Sequence, residues 1–452
     1  MMRRFLCILL ALSLLFCLAA CSSNPEGNND SSSNNTNTDN NSSNDDLFPE
    51  LNEVETVTFW HSITNETIYA AFETIVNNFN ETVGKENNVY VETVQYSSAA
   101  ELNTAVTGAI MSGTAPDIIM GSSVYMTEYA TAGALVNMDP YIANETYGID
   151  MNDFYDCWLL NANNYDEEGH YYAMPMLPYS EVMYYNVDFF EENNLTVPTT
   201  WDEAEETART ISAKIGRGAL GWDNAAKMFS TLAEQSGVGY TDKKGTLLFA
   251  DQLDTVLERV QWYVDLVKEG VFRTPGDSYY FSGPFANEEI PMYIGSGVEG
   301  AYIDMKINPD DPFTWSAAPV PYFKDGKPAT ISECSMIAIC SKGTDSKARL
   351  AAWEFIKYFE SYDANLILTS AGAYLPCLKS VGESDAFLSV ASDAQLAGIA
   401  QMDRYYAYFA FDDGTVNSSS LYTDMKATCE DILNNGADLT SSIKALLSNY
   451  GH

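Results

Sequence analysis

The chain has 452 residues, 46% of them hydrophobic, and its 63 acidic against 23 basic side chains give a formal net charge of -40. A field of that sign disfavours nucleic acid, anionic lipid surfaces and, more weakly, anionic solutes, although a local basic pocket can overcome it. Only His61, His170 and His452 are histidines, and HExxH, GxSxG and GxxxxGK[ST] phosphate-loop patterns are missing. The expectation is a protein that is not an enzyme and takes no cofactor or metal.

Arg3 and Arg4 precede an apolar run, Phe5 to Ala20, that is too short to span a bilayer comfortably. A basic start, an apolar stretch and small residues at its end read as a secretory signal over residues 1–20. Leu18, Ala19 and Ala20 in front of Cys21 resemble a bacterial lipobox, in which the cysteine takes a diacylglycerol and becomes the first residue. Cys21 is the expected lipid attachment. The rest of 21–46 is almost wholly Ser, Asn, Asp and Thr, without aromatic or branched aliphatic residues, and reads as a disordered tether. The expected location is the extracytoplasmic face of the cell membrane, reached through acyl chains rather than a spanning helix. Cys157, Cys334, Cys340, Cys377 and Cys429 are odd in number and far apart, so buried thiols are expected rather than a disulfide framework or a zinc site.

Beyond the tether, "TVTFWHS" (Thr56 to Ser62) is a β-branched and aromatic run expected to form a buried strand. The helix after it would bury Ile68, Phe72, Ile75, Val76 and Phe79 on one face. "VYVETVQY" is a second strand, and Ser98 with Glu101 forms a capping box for a helix that stops at Gly113. "APDIIM" (Ala115 to Met120) is a third strand, and this alternation argues for a parallel α/β layer. The pattern returns with a strand at Glu181 to Asn186 and a second capping box, Thr200 to Glu203. A long helix follows with Leu253, Val256, Leu257, Val260 and Val264 inward, then the strand Ser335 to Cys340. The C-terminal third is mainly helical.

The ordered set Pro175, Tyr184-Tyr185-Asn186, Pro198 and Thr200-Trp201-Asp202-Glu203 resembles the most recognisable stretch of the family 1 extracellular solute-binding proteins of ABC importers. "SGTAPDIIM", "GALVNMDPYI", "FANEEIPMYIGSG" and "SAGAYLP" extend the likeness along the chain. The resemblance implies an α/β, two-lobed, periplasmic-binding-protein-like fold of the maltose-binding-protein type, with a ligand cleft between the lobes. Lobe 1 would hold 47–178 and 327–362, and lobe 2 would hold 179–326 and 363–452. It also implies a monomer that binds a small solute and meets the membrane subunits of an importer.

A sugar shows hydroxyls at its edge and C–H faces above and below, so its cleft needs aromatic plates and convergent polar groups. In such clefts the ligand lies beyond the carboxyl ends of the strands. Trp60 and His61 follow the first strand, although a core position suits Trp60 equally well. Ser97 follows the second strand, with Ser98 favoured as a helix cap; Ser123 and Tyr125 follow the third. Tyr179 and Glu181 lie in the crossover, and Glu181 is placed to bond paired hydroxyls. Trp222 stands where relatives set a stacking aromatic, beside Asp223. Ser296 and Glu299 flank glycines that let a ligand approach the backbone. Glu333 and Tyr374 complete the set.

The "FWHS" opening looks most like the glycerol-3-phosphate branch of the family, which implies a basic side chain for the phosphate after the "GAYLP" loop. Only Lys379 and Arg404 lie between Tyr374 and Tyr422, so a neutral sugar or short oligosaccharide is the better expectation. Two rival readings are a secreted glycosidase, which needs only two carboxylates, and a ligand sensor that docks on a receptor kinase.

Overall fold

The structure is a computed structural model that describes residues 47–452 apart from 167, 243–245, 342 and 407–417. The expected signal, Cys21 and the expected tether lie outside the described residues. Everything below belongs to the unit Asn44–His452.

Alternation along ETVTFWH puts Val57, Phe59 and His61 on the buried face of β1 (Glu55–His61). It pairs in parallel with β2 (Val89–Gln95) and with β3 (Ile118–Ser122). The crossover helices are α1 (Glu66–Glu81) and α2 (Ala99–Ser112). In α1 the five expected apolar positions are all buried, and the Asn65 side chain accepts from the Thr67 and Ile68 amides to start it. Ser98 Oγ accepts from the Glu101 amide at 3.2 Å to start α2, and Gly113 ends it at φ 72°. The Glu101 carboxylate turns to Ser97 instead of back to Ser98, so the box closes on one side only. The helix α3 (Ser123–Thr131) leaves directly from the end of β3.

The expected strand at Glu181 is the second half of a longer one, β4 (Met174–Asn186). Helices α4 (Trp201–Ile215), α5 (Ala225–Gln235) and α6 (Leu253–Lys268) follow, with the short strands β5 (Leu220–Gly221) and β6 (Phe272–Arg273) pairing apart from the main sheet. Next come β7 (Met292–Ser296), β8 (Trp315–Ala318), β9 (Thr330–Ile339), α7 (Ser346–Phe359), β10 (Tyr405–Tyr406), α8 (Ser418–Asn435) and α9 (Leu439–Asn449). The main sheet runs β2-β1-β3-β9-β4-β7, with β8 added on β4 and β10 on β9. It is parallel around β1, but β9 is antiparallel to β3 and to β4, and β4 is antiparallel to β7 and β8.

Two apolar cores sit along this sheet. The first gathers β1 to β3, Met174 to Leu177 of β4, Cys334 to Ile339 of β9 and α7. The second gathers Met183 with α4, α5 and α6 and with Leu421 to Leu447 of the C-terminal helices. The stretch after residue 362 divides differently from expectation. Ala364, Leu368, Leu378 and Phe387 join the first core, because the helix Tyr362–Thr369 folds straight back from α7 onto α1. Ala394 and Ala397 then pack with Val182 and Tyr184. Among the described residues the chain therefore leaves the first core within β4 and returns to it within β9, and between Phe387 and Ala394 it turns to the smaller cluster around Val182 and Tyr184. Four of the five cysteines are buried and the fifth, Cys157, is half-buried; all five are free thiols. Among the described residues, no helix is long and apolar enough to cross a membrane.

Candidate functional site

Residues two apart on a strand share a face, so Tyr179 and Glu181 point the same way where β4 passes between the cores. The other face is fastened from behind. Tyr405 donates its hydroxyl to Ser180 Oγ at 2.7 Å, and the Gln401 amide donates to the Glu181 carbonyl at 2.7 Å. On β9, Glu333 stands in register opposite Tyr179. These crossing strands bound a cavity of about 570 Å³. Its further walls carry Asp223, Asn224 and Lys227 at the start of α5, Ser296 and Glu299 beyond β7, and Tyr422 from α8. Tyr280, Tyr302 and Lys306 form its rim. A smaller cavity of about 260 Å³ shares Tyr179, Glu333 and Tyr422 with it and adds Ser123 and Tyr125. A third, of about 680 Å³, shares Asp223, Asn224 and Tyr280 and adds Trp222.

Lys227 is bonded to the Glu333 carboxylate and lies 5.4 Å from the Tyr179 ring centroid. Burial is the largest single influence and works against its charge, but Glu333, Tyr179, Glu181 and Tyr422 together outweigh it and hold the ammonium above its ordinary value. Glu181 is 2% exposed, and Trp222 donates its indole N–H to Glu181 Oε2 at 2.9 Å. Burial pushes this carboxyl up to about 8, against the opposing pull of Lys227 and the indole. Asp223 Oδ1 accepts from the Phe281 amide at 2.6 Å, while its buried Oδ2 has no donor among the described residues. Burial, followed by the nearby Glu299 charge, holds Asp223 well above its usual range, and burial raises Glu299 as well.

Of the expected residues, Ser123, Tyr125, Tyr179, Glu181, Asp223, Ser296, Glu299 and Glu333 line the two joined cavities. Trp222 lines the third and packs against Trp201 at 5.8 Å between ring centroids, so it buttresses Glu181 rather than presenting a free face to the central cavity. Four residues lie elsewhere. His61 shares the buried face of Phe59, its Nδ1 accepts from the Ile63 amide at 3.3 Å, and burial pushes it down to about 4. Trp60 packs on Tyr96 at 5.4 Å, Ser97 holds Glu101, and Tyr374 stands edge-on behind Tyr179 at 6.3 Å.

Lys227, Lys306, Asn224, Tyr280, Tyr302 and Tyr422 were not anticipated. Lys227 did leave a trace in the sequence: behind the Asn224 cap it falls in the first turn of α5, where a cation opposes the helix dipole. Lys379 and Arg404, the cations weighed for a phosphate, are engaged away from the cavities. Lys379 bonds the Asn152 carbonyl and Asp156, and Arg404 covers the Tyr322 ring. Among the described residues, Asp166, Glu168 and His170 come close enough to share a cation, and none of them lines these cavities. The cleft thus offers carboxylate acceptors, ammonium and amide donors, and tyrosine rings, a set suited to a polyhydroxylated solute.

Residues 74–398 match the family described as bacterial extracellular solute-binding protein. Over 282 residues the chain is 25% identical to the maltotriose-binding protein of Pyrococcus abyssi, covering 59% of this chain and 55% of that one. Over 293 residues it is 25% identical to the sn-glycerol-3-phosphate-binding periplasmic protein UgpB of Shigella dysenteriae, covering 61% and 63%. The chain therefore spans somewhat over half the length of these curated relatives. Among solved structures, UgpB from Mycobacterium tuberculosis in complex with glycerophosphocholine superposes with a TM-score of 0.73 at 21% identity, over 88% of this chain and 98% of that one. The cyclic alpha-maltosyl-1,6-maltose binding protein from Arthrobacter globiformis gives 0.72 at 20% identity, over 87% and 97%. The fold is that of the maltose-binding-protein type, and the chain belongs to the bacterial extracellular solute-binding proteins.

Proposed function

We propose that this protein captures a carbohydrate, a sugar or short oligosaccharide, in the cleft between its two cores and delivers it to an ABC importer. The observation that carries this reading is the convergence of Glu181, Glu333, Glu299 and Asn224 with tyrosine rings around one cavity of about 570 Å³ that continues into two others. The two cores act as lobes that close on the solute, hide it from water and change the outer surface presented to the importer. The protein works as a monomer without catalysis, attached through a lipid on Cys21 to the outer face of the cell membrane.

A second reading, a glycerol phosphate or glycerophosphodiester solute, draws support from Lys227 and Lys306 in the cavity. Both ammonium groups already have protein partners, Glu333 and Ser282, which disfavours an anionic solute and supports the carbohydrate. A thermal-shift screen of the purified protein against saccharides, polyols, glycerol phosphates and amino acids separates the two. A ligand at about 100 times its dissociation constant adds roughly 2.7 kcal/mol of stability. A shift with saccharides supports the first reading, and a shift with glycerol phosphates alone replaces it with the second.

A further inference from the structure

The carboxyl groups of the central cavity are unevenly matched by cations. Glu333 takes Lys227, and Lys306 donates to Ser282 Oγ at 2.9 Å. Among the described residues that leaves Glu181, Asp223 and Glu299 facing one corner with no cation bonded to them, although the Lys227 charge pulls on Glu181 and Glu299 from its place beside Glu333. Their convergence is visible at Gly295 of β7, where an added Cβ would stand 2.6 Å from Asp223 Oδ2 and 3.1 Å from Glu299 Oε1. Glu181 is in register with Ser296, the next residue of that strand. Glu299 already accepts from the Tyr293 hydroxyl at 3.2 Å and the Ser296 amide at 3.3 Å. Among the described residues, Asp223 Oδ2 is buried with no donor, and the hydrogen bond to the Glu181 carboxyl comes from Trp222.

We propose that this corner receives a protonated amine of the solute, so that the carbohydrate taken is an amino sugar or an oligosaccharide with a free amino group. The inference rests on the carbohydrate reading above and narrows it.

Closing a cleft around several carboxylates is costly unless a cation comes with the ligand or protons are retained. An ammonium carries three donors on one charged centre, which suits Asp223 Oδ2 and the cavity side of Glu181. A neutral hydroxyl has one donor and leaves the charge uncompensated. Tyr280 and Tyr302, 61% and 44% exposed, stand at the rim of the same cavity and can face either the cation or the sugar ring. The acidic surface of the whole chain adds attraction of the same sign. Burial raises the Asp223 and Glu299 carboxyls, and a cation seated between them pulls both back down, so binding should release protons.

The test is titration calorimetry of the whole protein near pH 6, where the sugar amine is already protonated, with paired probes that differ at the nitrogen. D-glucosamine is set against D-glucose, and the β-1,4 disaccharide of glucosamine against cellobiose. The expected result is at least tenfold tighter binding of the amine in one pair. The apparent enthalpy should also change between buffers of different ionisation heat, reporting proton release. Asp223→Asn and Glu299→Gln should each reduce the ratio of amine to neutral affinity, with melting curves showing that at least one of them remains folded. Equal or tighter binding of the neutral member overturns this inference and leaves the carbohydrate reading standing. Binding of glycerol phosphates with no saccharide bound overturns both.

Discussion

The indole N–H of Trp222 donates to Glu181 Oε2 at 2.9 Å, and that bond joins the second core to the strand that passes between the cores. Trp222→Phe keeps most of the ring packing against Trp201 and removes the donor. The Glu181 carboxyl should then rise above about 8, and solute affinity should fall by about tenfold, the size expected for a lost hydrogen bond to a charged group. Calorimetry at two pH values, on either side of 8, reads both effects.

Lys227 and Glu333 form a cross-core ion pair, with side chains 10% and 26% exposed. Lys227→Met leaves the Glu333 carboxylate without its cation and should cost about 2 kcal/mol, less than for a fully enclosed pair because Glu333 keeps some water contact. Adding Glu333→Gln should return much of that loss. Urea denaturation of the four members of the cycle measures the coupling.

Gly295 has no room for a side chain: a Cβ would come within 2.6 Å of Asp223 Oδ2 and 2.8 Å of the Tyr293 ring. Gly295→Ala must push the carboxyl pair apart. We expect a loss of roughly 1–3 kcal/mol in stability, as for other overpacked sites, and solute binding weakened more than tenfold, read by melting curves and calorimetry.

Glu360 is buried in the first core, neither carboxyl oxygen has a protein partner among the described residues, and burial raises it well above its ordinary 4.5. A group raised in the folded state supports stability below its unfolded value and loses that support as pH climbs towards the folded one. Glu360→Gln should therefore be more stable than the parent at neutral and alkaline pH, with the advantage fading towards pH 4.5. Denaturant midpoints measured between pH 5 and 9 give the difference, and an unchanged difference across that range would contradict the assignment.

The sequence was most informative where one physical signal dominated. The period of the first amphipathic helix named all five of its buried positions, and Tyr179, Glu181 and Glu333 were found because both passages of the chain lie near recognisable strands. His61 and Trp60 were misplaced at the end of β1, where the alternation that buries Phe59 also buries His61 and turns Trp60 towards Tyr96. Lys227 escaped because its partner lies 106 residues away, and no local pattern announces a contact of that span. The same holds for the return of Ala364 to Phe387 to the first core, which depends on a helix folding back after α7 and not on any feature of its own composition.

The shared strands also govern how the chain reaches this structure. The buried Trp158 bonds the Pro376 carbonyl, 218 residues further on, and β3 finds its neighbour β9 only after α4 to α6 and β7 of the chain have intervened. The first core cannot be finished until nearly all of the chain is present, whereas α4 to α6 can assemble among near neighbours. Folding should thus begin in the middle of the sequence and end with the two halves of the first core clasping around it. Such late, long-range closure is slow, and until it happens the edge of β3 remains open to unwanted pairing.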